Sequence, residues 1–182
     1  MDLKKLANVQ RELDDRIIKE KGLDWSPEDR LINTVVALDV ELSEVANCAE
    51  WFKVWKIHKG KNDKGKTHRE TLLEEIVDAL HFYLSISNQL DDVSAEPFEL
   101  ETDISNKVDD VKSVSANDVY LAVKKTLLEV VDPRGSYKGF INLSFKYFLL
   151  LVTIKLDFTL EELENAYFEK NKINHERQDN NY

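Results

Sequence analysis

The sequence predicts an all-α protein, a helical bundle of about six helices built around a four-helix core. Three observations lead there. Only 5 Gly and 3 Pro occur in 182 residues, too few for a turn-rich all-β chain. Helix starts are written into the sequence as capping signatures. Between them, apolar residues recur at three- and four-residue spacing over long runs. The length suits a single domain, residues 1–182, large enough to bury a substantial core.

The first helix is expected over about 3–20, where Leu3, Leu6, Leu13 and Ile17 form a stripe. The second starts at Ser26-Pro27-Glu28-Asp29, a capping Ser before a Pro at the first helical position, and is expected over about 27–58. Thr67-His68-Arg69-Glu70 has the form of a capping box and opens a third helix over about 68–90. Ser115-Ala116-Asn117-Asp118 is a weaker version, opening a helix over about 116–131. The very apolar run FINLSFKYFLLLVTI lies in a helix expected over about 137–156. Asn142 and Lys146 interrupt that run, and it is too short to span a bilayer, so it reads as a core or interface helix. Thr159-Leu160-Glu161-Glu162 is another capping box and opens the last helix, about 160–178.

Two connections stand out. Residues 59–67, KGKNDKGKT, form a Gly- and Lys-rich loop. Residues 91–114 are acidic, contain Pro97 and lack a helical period; they are expected to be an irregular insertion or flap.

A net charge of −10 argues against general nucleic-acid binding, which needs a basic face. It leaves room for an anionic small ligand, because a bound cation inverts the local field. The single Cys48 forms no internal disulfide, which suits a reducing compartment. The N-terminal MDLKKLANVQREL lacks the apolar region of a signal peptide, so a cytoplasmic location is expected.

The chemistry is in two pairs of acids. Glu41 and Glu44 are three apart within ALDVELSEVANCAEWFKVW, and Ala37 and Cys48 extend their stripe. Glu75 and Asp78 have the same spacing within LLEEIVDALHFYLS, and Thr71 and Phe82 extend theirs. Both pairs sit in otherwise apolar helices joined by one basic loop, so antiparallel packing lets four carboxylates converge. Four like charges do not stay ionised together in a partly dry site without a counter-charge. Magnesium suits such a site, being a hard cation that takes oxygen ligands and substrate phosphates. The lack of Cys/His clusters argues against zinc. Either pair alone would be ordinary on a solvated helix.

The last helix carries a polar stripe where an apolar one is expected: Tyr167, Lys170, Asn171, Asn174, Arg177 and Gln178. Its cations suit phosphate oxygens and its amides suit a base or sugar. An exposed, fraying C-terminal helix would show the same pattern. Gln10 interrupts the apolar stripe of the first helix. A buried amide needs partners, either backbone or the pairing edge of a base such as uracil.

These segments together resemble the dimeric all-α dUTPases of bacteriophages, some bacteria and trypanosomatids, within the wider all-α nucleoside triphosphate pyrophosphatases. QRELDDRI (10–17), ALDVELSEVAN with FKVW (within 37–55), EEIVDALHFYLS (74–85), KGFINLSFKYF (138–148) and YFEKNKINHERQDNNY (167–182) resemble successive family motifs, in family order. The resemblance implies a magnesium-dependent dUTP diphosphatase with two or three ions per site. Glu41, Glu44, Glu75 and Asp78 match the metal ligands. A metal-activated water would attack the α-phosphate to give dUMP and pyrophosphate, keeping uracil out of DNA. Glu44 is the preferred activating carboxylate, with Glu41 beside it.

The resemblance also assigns the substrate contacts. Gln10 matches the residue that reads uracil, with Asn174 a candidate for a second base contact. His81 and Phe82 are placed beside the sugar. Lys170, Arg177 and Tyr182 match phosphate-binding residues of the tail, and Trp55 with Lys53 lines the pocket. The partners implied are dUTP, with dUDP as a second candidate, and a second copy of the chain. No nucleic-acid or membrane partner is implied. A contact with a repressor protein, of the kind ascribed to staphylococcal phage relatives, is a further candidate.

Two alternatives remain open: a pyrophosphatase with another base preference, and a helical protein whose main role is to bind a protein partner. The chain departs from the family pattern in two places. Asn47 is followed by Cys48 where many relatives have Glu, and Glu50 lies on another face, a poor substitute. The tail ends Asn181-Tyr182 where Gly-Tyr is common, with less backbone freedom.

Overall fold

The computed structural model describes residues 1–90, 109–131 and 137–180, and among these it is helical with no strand. Helix α1 is Leu3–Lys21, α2 Pro27–Ala49 and α3 His68–Gln89. A short helix α4 covers 109–113. Helix α5, Ala116–Leu128, ends in a 3-10 turn, Glu129–Val131. Helix α6, Tyr137–Leu150, continues as a π-helical turn, Leu151–Lys155, and α7 is Leu160–Asp179. No single helix among the described residues is long and apolar enough to cross a membrane.

The expected caps form. Ser26 Oγ accepts the Asp29 N–H at 3.0 Å. Thr67, Ser115 and Thr159 each complete a reciprocal capping box with Glu70, Asp118 and Glu162. Helix α1 ends on Gly22 at φ 59°, a left-handed position that glycine adopts without strain.

The segment expected to be irregular over 91–114 proves helical at 109–113; residues 91–108 lie outside the described residues. Val111 of α4 is buried against Val119, Leu150 and Leu151. That contact with distant residues selects a helix where local periodicity gives none.

Helix α2 stops at Ala49, short of the expected end near 58. The cause is Glu50. It sits at φ 56°, a left-handed conformation unusual for a residue with a side chain, and is 2% exposed. Its carboxylate accepts from Lys53 Nζ at 2.9 Å, from Lys56 Nζ, and from the Gly60 N–H at 2.9 Å. These three donors fold the chain back on the helix end. Val54, Trp55 and Ile57, which prolong the apolar period in the sequence, are left largely exposed.

Helix α3 is the centre of the bundle, with α1, α2, α6 and α7 all packed on it. Leu72, Ile76, Val77, Leu80, Tyr83, Leu84 and Ile86 are buried around most of its circumference, as expected of a core helix. Tyr83 lies between Phe145 and Phe148, with ring centroids 5.0 Å away in each case. Its hydroxyl donates to Ser144 Oγ at 2.8 Å, and Ser144 Oγ donates on to the Val123 carbonyl at 3.0 Å. This chain of bonds satisfies a fully buried phenol and fastens the α5–α6 pair to α3.

The partners of Glu50 hold its carboxyl down, from 4.5 to about 2, chiefly through the Lys56 and Lys53 ammonium groups. A lowered pKa in the folded state stabilises the fold above the ordinary carboxylate range and ceases to do so as pH falls through the folded value. A Glu50→Gln variant should melt below the wild type at neutral pH and exchange its Gly60 amide faster. The difference in melting temperature should close as pH falls from about 4.5 towards 2, which thermal unfolding followed by circular dichroism will read.

Candidate active site

Helices α2 and α3 pack closely over their lengths, antiparallel as the basic loop between them allows. This brings Glu41 of α2 to Glu75 and Asp78 of α3. One carboxylate oxygen from each lies within 4.8 Å of the other two, and all three residues are half-buried. Glu44, one turn along α2, is exposed, but its charge reaches Glu75. Three of the four acids picked out by spacing therefore meet in space, and Glu44 lies outside the cluster.

The electrostatics follow from the packing. Burial, then the charges of Asp78 and Glu75, raise the Glu41 carboxyl from 4.5 to about 7. Burial, Asp78 and Glu44 raise Glu75 as well. Opposing them, among the described residues, is Lys170 of α7, which donates to Asp78 Oδ2 at 2.7 Å with its side chain 15% exposed. A site that raises its own acids is short of positive charge. Its donors are all carboxylate oxygens, which fits a hard divalent cation such as magnesium.

A second cluster lies next to the first, one turn along α3. Gln10 is buried, and both polar atoms of its amide are hydrogen-bonded. Its Oε1 accepts from His81 Nδ1 at 2.6 Å and from the Tyr167 hydroxyl at 2.9 Å. Its Nε2 donates to Asp14 Oδ1 at 2.7 Å, and Asp14 Oδ2 accepts from Ser85 Oγ at 2.6 Å. This network assigns the proton of His81 to Nδ1. Burial first, then Lys170, lowers His81 to about 3, so the ring is neutral at physiological pH. It stacks on Tyr167 at 4.3 Å between centroids. His81 Nε2 and Asn171 Nδ2 are buried without a hydrogen-bond partner among the described residues.

The other expected positions are scattered. Phe82 is half-buried against the core. Asn174 Oδ1 accepts from Arg177 at 3.2 Å on the outer part of α7. Trp55 is 74% exposed in the turns after α2; Trp51 instead packs edge-on against Tyr120 at 5.5 Å. Lys53 is occupied by Glu50 at 2.9 Å. Tyr182 lies outside the described residues.

The sequence reading passed over Asp14 and Ser85. Asp14 sits one turn beyond Gln10, an (i, i+4) spacing that puts an acid beside the buried amide and could have marked it. Ser85 carried no local signal.

A family model described as dUTPase matches residues 2–182. No curated protein shows a significant match to the chain. With the family match running through all the acids and the whole helical bundle, the chain belongs to the dUTPase family and is an all-α dUTP diphosphatase.

Proposed function

We propose that the chain cleaves dUTP to dUMP and pyrophosphate using magnesium held by Glu41, Glu44, Glu75 and Asp78. The observation that carries this reading is the convergence of Glu41, Glu75 and Asp78 from two helices, their oxygens within 4.8 Å of one another. When bound, the cation supplies positive charge for the developing phosphate charge and makes water easier to deprotonate. Glu44, exposed beside Glu75, orients the attacking water and accepts its proton, with Glu41 supporting it. The water oxygen forms a bond to the α-phosphorus, and the bond from that phosphorus to the bridging oxygen breaks, releasing pyrophosphate.

Lys170 and Arg177 bind phosphate oxygens. Gln10 and Asn174 read the uracil, Gln10 by exchanging one of its present partners for the base. His81 and Phe82 border the sugar, where an aromatic face excludes a 2′-hydroxyl. Assembly as a homodimer and a cytoplasmic location belong to this reading and rest on the family resemblance.

Pyrophosphate release from dUTP, dTTP, dCTP and UTP with magnesium should favour dUTP. A Glu75→Ala variant should lose at least about a hundredfold in kcat/KM, a few kcal/mol of barrier. Equal turnover of dUTP and dTTP would overturn the base assignment and leave the carboxylate site standing.

Magnesium should also raise the melting temperature of the nucleotide-free protein. At about one hundred times its Kd, a cation that binds only the folded state adds about 2.7 kcal/mol. That corresponds to roughly 5–10 °C for a chain of this size. A melting temperature indifferent to millimolar magnesium would sink the metal assignment.

Glu41 sets a pH dependence. Its folded pKa is raised from 4.5 to about 7, so the folded state holds the proton more tightly than the unfolded state. The metal-free protein should therefore lose stability as pH rises through that window, relative to Glu41→Gln. Magnesium, which needs the ionised carboxylate, should bind more weakly as pH falls below 7. Melting curves across this range, with and without magnesium, test both signs.

A further inference from the structure

We propose that Lys170 is a built-in stand-in for the metal: its ammonium and the divalent cation compete for Asp78, and only one of them holds that carboxylate at a time. This rests on the metal reading above. It adds that α7 senses whether the α2–α3 site is loaded.

The observations are geometric. Lys170 Nζ lies 2.7 Å from Asp78 Oδ2, a charge-assisted bond between helices distant in sequence. The pair is only partly exposed, at 15% and 28% of the side chains. Asp78 contributes to the same three-oxygen cluster as Glu41 and Glu75. Lys170 is the cation that acts on both Glu41 and Glu75, against the mutual repulsion of the acids. This ammonium is therefore a counter-charge that the chain itself supplies to the cluster.

A divalent cation entering this cluster puts two positive charges where one ammonium now sits. Lys170 cannot keep its place beside them without strong repulsion. Released, its flexible four-carbon stem can turn to another acceptor on the same side of α7, and the phosphates of a substrate are the acceptors at hand. The neighbouring turns of α7 carry Tyr167, bonded to Gln10 at 2.9 Å, and Asn174. Release of Lys170 from α3 therefore loosens the hold of α3 on the helix that carries these groups. Metal entry becomes a step that prepares α7 for the nucleotide.

The competition predicts an effect opposite to that of ordinary damage. Removing the ammonium should strengthen metal binding while it weakens nucleotide binding. The test titrates magnesium into nucleotide-free wild type, Lys170→Met and Lys170→Arg by calorimetry, then titrates α,β-imido-dUTP into the magnesium-loaded proteins. Lys170→Met should bind magnesium about tenfold more tightly than wild type, a partly screened Coulomb effect of one unit charge. Lys170→Arg, which keeps the charge, should stay near wild type. Lys170→Met should bind the nucleotide analogue several-fold more weakly.

Circular dichroism of each variant checks the fold. Should Lys170→Met misfold, Lys170→Gln replaces it, with the same tighter magnesium binding expected. Unchanged or weaker magnesium binding in a folded Lys170→Met overturns the competition alone. No magnesium binding by any of the three proteins overturns the metal reading and this proposal together.

Discussion

Helix α3 is enclosed by α1, α2, α6 and α7, and yet it carries Glu75 and Asp78 in the middle of its length. Enclosure and charge pull in opposite directions, because a carboxylate loses hydration as its helix is covered. The acids are left half-buried at the seam with α2, where Glu41 adds a third charge. The rest of the molecule is arranged around this seam. The apolar residues of α3 hold it at the centre of the bundle, and that centring is what forces the acids of two helices together.

The protein handles buried polarity in two ways within a few turns of α3. Around Gln10 most needs are met internally: His81, Tyr167 and Asp14 engage the amide, and Ser85 and Gln10 bond Asp14, with His81 Nε2 left over among the described residues. At Glu41 the need is left unmet, since its neighbours among the described residues are the like charges of Asp78, Glu75 and Glu44 and the ammonium of Lys170. A satisfied network rigidifies and specifies; an unsatisfied cluster of one sign invites an ion of the other. The first is suited to fixing a ring and its tautomer, the second to holding charge that arrives with a ligand. Glu50 is a third case, a buried carboxylate given three donors at the point where a helix ends.

Much of the fold was legible because its signals are local. Capping boxes at Thr67, Ser115 and Thr159 act within four residues, so reading them requires no knowledge of the rest of the chain. The three-residue spacing of Glu41 with Glu44, and of Glu75 with Asp78, fixes which helix faces carry charge in the same way. The end of α2 is not legible locally, because the apolar period runs on through Trp51, Val54 and Trp55, while the helix is stopped by bonds that include one from the Gly60 N–H to the Glu50 carboxylate, ten residues apart. The helix at 109–113 was missed for a related reason, since Val111 takes its place from Leu150 and Leu151.

What the sequence by itself determined is therefore the six longer helices, most of their ends, the acids that share a face, and the order of motifs that places the chain in its family. Each of these depends on neighbours a few residues apart or on order along the chain. What only the tertiary structure decided is which polar groups meet: Lys170 with Asp78 across 92 residues, His81 with Gln10 across 71, and Tyr167 with Gln10 across 157. These pairs are set by how the helices pack. Packing is chosen by the summed burial of many apolar side chains rather than by the polar residues themselves. The polar partners are thus a consequence of the core, and no short stretch of sequence records them.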